Sequence, residues 1–392
     1  MSMQDLVAAT AGCHLCGDQL IDIDDYKFAH QVTSDCRPWR RSIRLAFCSG
    51  CGVVQKPVSD FWLRDIREIY AAYAVYEQGG GAEQTSFDAD TGNAMARSQR
   101  IVAWLSKQGQ LSDTGALLDV GCGNGSFMRV FGRSNPGWSM AGIELDARNR
   151  ALVESLPGVT ALHVGSIDSL SQGFDLIVMI HALEHIPNPI EFLKNVFKRL
   201  NPGGRLLIQV PNLLESPFDL LIVDHCSHFS SSSLNRVVSS AGYKVRQLDA
   251  TCVAKELTLL AEPAGTEVPT DNRMSASNND DACAAKRHVE WMYQVLRQGQ
   301  EVFAGVGIFG TSVSGTWLAS ALGDRVQFFV DEDPNRIGRS HLGRPIFCPS
   351  EVDEEVDILM PMRPEVATAI AARLASHRLR LMIPPVLGLE KG

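Results

Sequence analysis

Two C-x-x-C-G knuckles stand near the start of the chain, Cys13-His-Leu-Cys16-Gly17 and Cys48-Ser-Gly-Cys51-Gly52. In such a turn the glycine accepts the conformation that lets backbone amides point at the thiolates, and two turns complete a tetrahedral shell of four cysteines. One C-x-x-C would serve a redox site; a pair points to zinc. With no open coordination position the ion is expected to be structural, held by Cys13, Cys16, Cys48 and Cys51 and stapling a small domain that has little core of its own. Cys36 lies between the knuckles and reads as a bystander.

Two further groups carry histidines. "VDHCSHFS", Val223 to Ser230, places Asp224 and His225 side by side with His228 three residues on. A metal site, a catalytic dyad and the turn before a helix all fit it; four better zinc ligands in the knuckles weaken the metal reading. His181-Ala-Leu-Glu184-His185 sets two histidines four apart, but the zinc-protease pattern has glutamate directly after the first histidine, whereas here it precedes the second. His181 follows an apolar run and is kept as a site residue.

A glycine loop completes the set. "ALLDVGCGNGSFMRVF" is an apolar run ending in Asp119, a Gly121-Cys-Gly123-Asn-Gly125 turn and an amphipathic stretch. Such a loop lets backbone approach a ligand, and G-x-G alone fits NAD, FAD and S-adenosylmethionine alike.

The elements that must position these residues follow a strand, loop, helix alternation from about 101 to 261. After Asp119 comes "WSMAGIELD", a strand tipped by Glu144, then "FDLIVMIHALEHI" and "LNPGGRLLIQVPN". Alternation of this kind predicts a doubly wound parallel sheet with its ligand at the strands' carboxyl ends. "EPAGTEVPTDNRMSASNNDDA" is polar and reads as a linker. Beyond it, a helix near 284–300 and the runs "VGIFGTSVSG", "VQFFVDED" and "VDILMPM" predict a second open α/β domain. The boundaries are then 1–70, 71–261, a linker over 262–282, and 283–392.

"LLDVGCGNG" resembles motif I of the class I S-adenosylmethionine-dependent methyltransferases, and the acid-tipped second strand, "LEHIPNP" and "NPGG" resemble the same superfamily in the same order. The resemblance implies a class I, Rossmann-like core in which Gly121, Gly123 and the neighbouring Asn124 cradle the methionine moiety. Asp119 organises the turn and Glu144 takes the ribose hydroxyls, a task suited to a carboxylate that accepts twice. Where the superfamily has a Gly-Asp pair for the adenine amine, Ser166 stands here, with Asp168 as its alternative; Ile167 would pack on the adenine face or serve as an ordinary strand-end residue.

With a four-cysteine module before this core and an α/β domain after it, the whole chain resembles the sugar C-methyltransferases that act on nucleotide-linked ketosugars. That resemblance implies a histidine that removes the proton beside a keto group, making a carbon nucleophile for the methyl. A base with pKa near neutrality is suited to this. Laid on this chain, the base is His225 and its orienting partner Asp224, with His181 and Tyr76 as further pocket residues; Tyr70 and Tyr73 compete with Tyr76. The family's glutamate is Asp224 here, and its two tyrosines are Ile222 and His228, departures that bear on the substrate. The C-terminal domain would supply part of the sugar-nucleotide pocket or act as a docking domain. An O- or N-methyltransferase and a zinc-stapled binding protein without turnover are the other readings.

Bulk properties narrow the partners. A formal net charge of -9 over 392 residues argues against a nucleic-acid surface. The apolar runs fall short of the ~20 residues that cross a bilayer, and the N-terminus lacks a signal peptide's basic start and apolar core. A cytoplasmic protein, monomer or homodimer, with a small-molecule substrate is expected, its ten cysteines serving as metal ligands or free thiols.

Overall fold

The computed structural model describes residues 12–73, 85–87, 94–109, 111–265, 280–302, 305–352, 356–377 and 379–388. Tyr76 lies outside the described residues. The first segment holds β1 (Leu20–Asp22), β2 (Gln31–Val32), β3 (Pro38–Trp39), β4 (Ala46–Cys48), β5 (Val54–Gln55) and helix α1 (Asp60–Ala71). Ser59 caps α1 by accepting from Trp62 N, and the helix buries Trp62, Leu63, Ile66 and Ile69.

A short hairpin, β6 (Thr85–Phe87) and β7 (Ala94–Ala96), leads into α2 (Arg97–Lys107). The core then runs β8 (Gly115–Val120), α3 (Ser126–Ser134), β9 (Trp138–Glu144), α4 (Arg150–Glu154), β10 (Val159–Val164), β11 (Phe174–Ile180), α5 (Pro189–Phe197), β12 (Leu200–Pro211), β13 (Ser227–His228), α6 (Ser231–Ser240), β14 (Tyr243–Asp249) and β15 (Glu256–Pro263). Seven of these strands form one sheet in the order β10-β9-β8-β11-β12-β15-β14. All pairs are parallel except those of β15 with β12 and β14. The central strands are mostly apolar and buried because helices cover both faces: α5 and α6 on one side, α2 and α3 on the other. This arrangement is the doubly wound sheet that the alternation predicts.

After 280 come α7 (Asp280–Glu301), β16 (Val306–Phe309), α8 (Val313–Leu322), β17 (Val326–Val330), β18 (Ser340–His341), β19 (Arg344–Phe347), β20 (Asp357–Leu359), α9 (Pro364–Arg373) and β21 (Arg380–Met382). Their sheet has the order β18-β19-β17-β16-β20-β21, parallel apart from β18 with β19. The stretch expected as linker is narrower than 262–282: β15 carries regular pairing through Pro263, and α7 begins at Asp280, where Asp280 and Asp281 meet the positive end of the helix.

The three segments do not have separate interiors. Phe28, Val32, Leu45 and Val54 of the first segment, Leu220 and Ile222 of the core, and Trp291, Trp317 and Phe329 of the last share one apolar cluster. "VDHCSHFS" belongs to that junction. It does not lead directly off a core strand, as its sequence position suggests: a 3-10 turn, Pro217–Leu221, intervenes. Then β13 joins β1, β4 and β5 as the fourth strand of the knuckle module's sheet, pairing Ser227 with Gln55 and His228 with Val54. The Trp62 indole donates to Val223 O at 2.9 Å and Lys56 N to Cys226 O at 3.0 Å. Ser230 then caps α6.

Candidate active site

The knuckles bring the four thiols of Cys13, Cys16, Cys48 and Cys51 within 4.8 Å of one another. Cys13 Sγ lies 3.5 Å from Cys51 Sγ and Cys16 Sγ 3.4 Å from Cys48 Sγ, near the ~3.8 Å edge of a tetrahedron with metal–sulfur bonds of about 2.3 Å. Gly17 and Gly52 take positive φ, and the amides of Leu15 and Cys51 donate to the sulfurs of Cys13 and Cys48. Hydrogen bonds from Cys48 and Cys51 pull Cys13 down to about 4 while Cys51 is pushed up, the mark of sulfurs that share protons at contact distance. A bound cation would hold all four as thiolates.

At the carboxyl end of β8, Gly121, Gly123 and Gly125 all adopt left-handed φ, a backbone that favours glycine at these three positions. A Cβ on Gly121 would stand 3.2 Å from the Cβ of Ala182. Glu144, at the tip of β9, accepts from Gly123 N at 2.6 Å and Leu145 N at 3.1 Å. Asn124 is buried and accepts from Ser126; Asp119 is buried beneath the turn. Ser166 Oγ accepts from Asp168 N, while Asp168 Oδ2 accepts from Asn195, so both candidates for the adenine contact have internal partners. Ile167 belongs to the core instead of a ligand-facing surface: it is 1% exposed and packs among Leu170, Phe174 and Leu183.

Beside this loop, His181 holds a φ of 51° and sits between two carboxylates. Nδ1 is 3.0 Å from Glu184 Oε1, and Nε2 is 3.0 Å from Glu256 Oε1, which also pairs with Arg97 at 3.2 Å. Burial works against the charge, but Glu256 and Glu184 prevail and raise His181 to about 9. Expected as a site residue lining the pocket, His181 has Nδ1 hydrogen-bonded to Glu184 and Nε2 facing Glu256, and the two carboxylates favour its charged form. The cluster leaves four buried polar atoms without an aligned hydrogen bond: Glu184 Oε2, Glu256 Oε2, His181 Nε2 and Arg97 Nε. Two acceptors and two donors side by side suit the ammonium and carboxylate of an amino acid. With the glycine turn and Glu144, these residues fit S-adenosylmethionine.

His225 is almost fully buried, and its partner is Asp219, not Asp224. His225 Nδ1 lies 2.7 Å from Asp219 Oδ1, and His228 Nδ1 2.6 Å from Asp219 Oδ2. Burial opposes the Asp219 charge, yet the two facing rings hold its carboxyl well below the usual range. Burial also pulls His225 down, and Asp219 more than offsets it, so His225 is raised. Asp224 turns the other way, accepting from Ser34 N at 2.9 Å and Ser34 Oγ at 2.5 Å. The carboxylate one residue before the histidine points away from it: Val223 and Asp224 form a turn closed by His225 N donating to Ile222 O at 3.3 Å.

His185 stacks edge-on against His225 with ring centroids 4.5 Å apart, and its Nδ1 meets Asp224 O at 2.9 Å and Tyr70 OH at 3.1 Å. Tyr73 OH lies 3.0 Å from Ser34 Oγ, whose one proton goes to Asp224. Tyr70 thus meets His185, the ring stacked on His225, and Tyr73 meets Ser34. Sequence reasoning missed Asp219, Glu256 and Arg97. Asp219 left a signal, a lone acid within the apolar run "PFDLLIV" six residues before His225.

Residues 94–248 match the family model described as a methyltransferase domain. Over these residues the core is similar to methyltransferase domains, and its sheet has a doubly wound, Rossmann-like order. Among curated relatives of the chain, C-methyltransferase NovU of Streptomyces niveus is 25% identical over 245 residues, covering 58% of this chain and 58% of that protein. The tRNA U34 carboxymethyltransferase of Desulfotalea psychrophila is 28% identical over 167 residues, covering 40% and 50%. The chain thus spans three-fifths or less of the length of these relatives. Among solved structures, the SAH-bound form of CalO1, a methyltransferase in calicheamicin biosynthesis, overlaps 43% of this chain and 54% of that one at 18% identity and a TM-score of 0.35. The glycine turn and Glu144 occupy the carboxyl edge of the core sheet, and His185, which follows β11 at that edge, stacks on His225.

Proposed function

We propose that the protein is an S-adenosylmethionine-dependent C-methyltransferase acting on the carbon beside the keto group of a nucleotide-linked deoxy-ketosugar, with His225 as the base. One observation carries the reading: Asp219 takes the Nδ1 side of His225 at 2.7 Å and so fixes Nε2 as the proton acceptor. A methyl acceptor that is already nucleophilic has less need of such a dyad; a carbon acid needs it. The name of the Streptomyces relative, a C-methyltransferase, supports the same chemistry, and the sequence resemblance supplies the sugar-nucleotide class.

Gly121, Gly123 and Asn124 would cradle the cofactor's methionine moiety, Asp119 would organise the turn, Glu144 would take the ribose hydroxyls, and Ser166 or Asp168 the adenine. Glu184, Glu256, Arg97 and His181 would hold its amino-acid end. When bound, S-adenosylmethionine supplies a methyl on a sulfonium, whose carbon–sulfur bond breaks as the new carbon–carbon bond forms. His225 Nε2 takes the proton from the substrate carbon, and the electron pair of that bond moves into the enolate. Asp219 then faces an imidazolium instead of a neutral ring, an interaction stronger after proton transfer than before. Tyr70 and Tyr73 stand close enough to His185 and Ser34 to bound the pocket, with Tyr76 as a further candidate lining residue. Zinc is the ion proposed for Cys13, Cys16, Cys48 and Cys51, with a structural role.

The test is His225→Ala, assayed for methyl transfer and, by calorimetry, for S-adenosylmethionine binding. Turnover should fall by roughly 10²–10⁴-fold with cofactor affinity retained. Near-full turnover with the true substrate would remove the base and favour O- or N-methyl transfer; no cofactor binding in the wild type would favour a binding protein.

A further inference from the structure

The buried hydrogen bonds do not end at the Asp219–His225 pair. Asp219 Oδ2 engages His228 Nδ1, and on the far side of that ring His228 Nε2 lies 3.0 Å from Lys56 Nζ. Lys56 is 0% exposed; its ammonium also reaches His225 O at 3.3 Å. Four groups thus form one continuous chain, Lys56, His228, Asp219 and His225, running from the end of β5 in the knuckle module to the proposed base. Every donor and acceptor along it has one consistent assignment. An ammonium only donates, so His228 Nε2 must accept, and its proton then sits on Nδ1 facing Asp219. Asp219 remains an acceptor on both oxygens, and the Nδ1 proton of His225 faces it too.

We propose that Lys56 is a positioning residue for the base: by donating to His228 Nε2 it keeps that ring neutral, so that the negative charge of Asp219 is reserved for His225. A second imidazolium at His228 would draw on the same carboxylate and weaken His225 as a proton acceptor. The inference rests on the methyl-transfer reading of His225. It also gives the metal-knuckle module a task in the chemistry, since β5 pairs with β13 and carries Lys56 into place.

The surrounding charges agree. His228 is flanked by Lys56, Asp219 and His225; Lys56 also feels Asp224 and Cys226; His225 also feels Glu184, Asp224 and His185; Tyr26 faces Asp219. Burial and then Lys56 lower His228 to about 4, and burial lowers Lys56 to about 8, which leaves it charged at neutral pH.

Ring-nitrogen NMR of the full chain, without substrate, reads the protonation of each histidine directly. In the wild type His228 should remain neutral, with its proton on Nδ1, at about pH 5.5, a full unit below the ordinary histidine value of about 6.5. Lys56→Met should raise the His228 titration toward that ordinary value, and Lys56→Arg should hold it down. In the methyl-transfer assay Lys56→Met should lose about tenfold in kcat/KM on the acid side of the profile, part of a general-base contribution of 10²–10⁴. Adding His228→Gln, whose amide can donate to Asp219 and cannot be protonated, should recover most of that loss. A folded Lys56→Met chain whose His228 titrates as in the wild type would overturn the proposal, as would a pH-independent loss that His228→Gln does not recover. Should Lys56→Met fail to fold, the wild-type and Lys56→Arg spectra decide: His228 neutral at about pH 5.5 supports the proposal, and His228 protonated there overturns it. Because the spectra need no turnover, the expected NMR result together with an inactive enzyme would count against the methyl-transfer reading and not against the role of Lys56.

Discussion

Asp219 serves two histidines with one carboxylate, and the residue-scale predictions turn on that sharing. Asp219→Asn keeps the shape but removes the charge that balances an imidazolium, leaving buried rings without their counterion. Breaking a buried pair of this kind costs roughly 3–5 kcal/mol, so chemical denaturation should show a large loss together with reduced turnover. The pH dependence has a definite sign. His225 acts as a base only when neutral, and its raised folded value means that activity is full at higher pH and falls as pH drops through a point above the ordinary ~6.5. The acid limb of kcat/KM should therefore lie above that value. In the cofactor turn, Gly121→Ala meets a φ of 74° and the nearby Ala182 Cβ; the left-handed backbone alone costs about 1–2 kcal/mol. Calorimetry should show weaker S-adenosylmethionine binding in that variant, with the fold retained.

At the scale of elements, strand β13 explains why the cysteine knuckles are attached to this core. Its two residues, Ser227 and His228, complete the sheet that the cysteine turns anchor, and His14 Nε2 meets Ser227 Oγ at 2.7 Å from the first knuckle. Losing the metal should loosen β5 and β13 and with them Lys56 and His228, while the glycine turn after β8 stays in its own sheet. Chelation, or Cys48→Ser, is expected to lower Tm and methyl transfer with S-adenosylmethionine affinity changed by less than the activity. The parallel sheet was legible in the sequence because its strands are buried on both faces and read as unbroken apolar runs. The knuckles and the glycine loop were legible because their chemistry depends on spacing along the chain. The partner of His225 was not: Asp224 is adjacent in sequence, but it lies in a turn and its carboxylate goes to Ser34, while a 3-10 turn brings Asp219 back to the ring. His181 and Ile167 were placed by position after a strand, which does not report that two glutamates enclose the first or that the second is core.

Across the whole molecule, the first and last segments share an interior with the stretch that carries the base. Trp317 is fully buried there, with edge contacts to Phe28 and a tilted contact to Phe218. Trp317→Ala should cost about 3–5 kcal/mol and lower the stability of the knuckle module as well as that of the C-terminal domain, seen as one shifted transition by both tryptophan fluorescence and far-UV circular dichroism. The sequence divides into three at its composition breaks, and such breaks do not report which apolar faces meet. Among the described residues no helix is long and apolar enough to cross a membrane. The central claim is that His225 makes a carbon nucleophile. Its most direct test is incubation of a nucleotide-linked deoxy-ketosugar with the full chain in deuterium oxide without S-adenosylmethionine, followed by mass spectrometry of the sugar. The account predicts deuterium at the carbon beside the keto group with the wild type and none above background with His225→Ala; equal exchange by both proteins, or none with a sugar that the wild type does methylate, would contradict it.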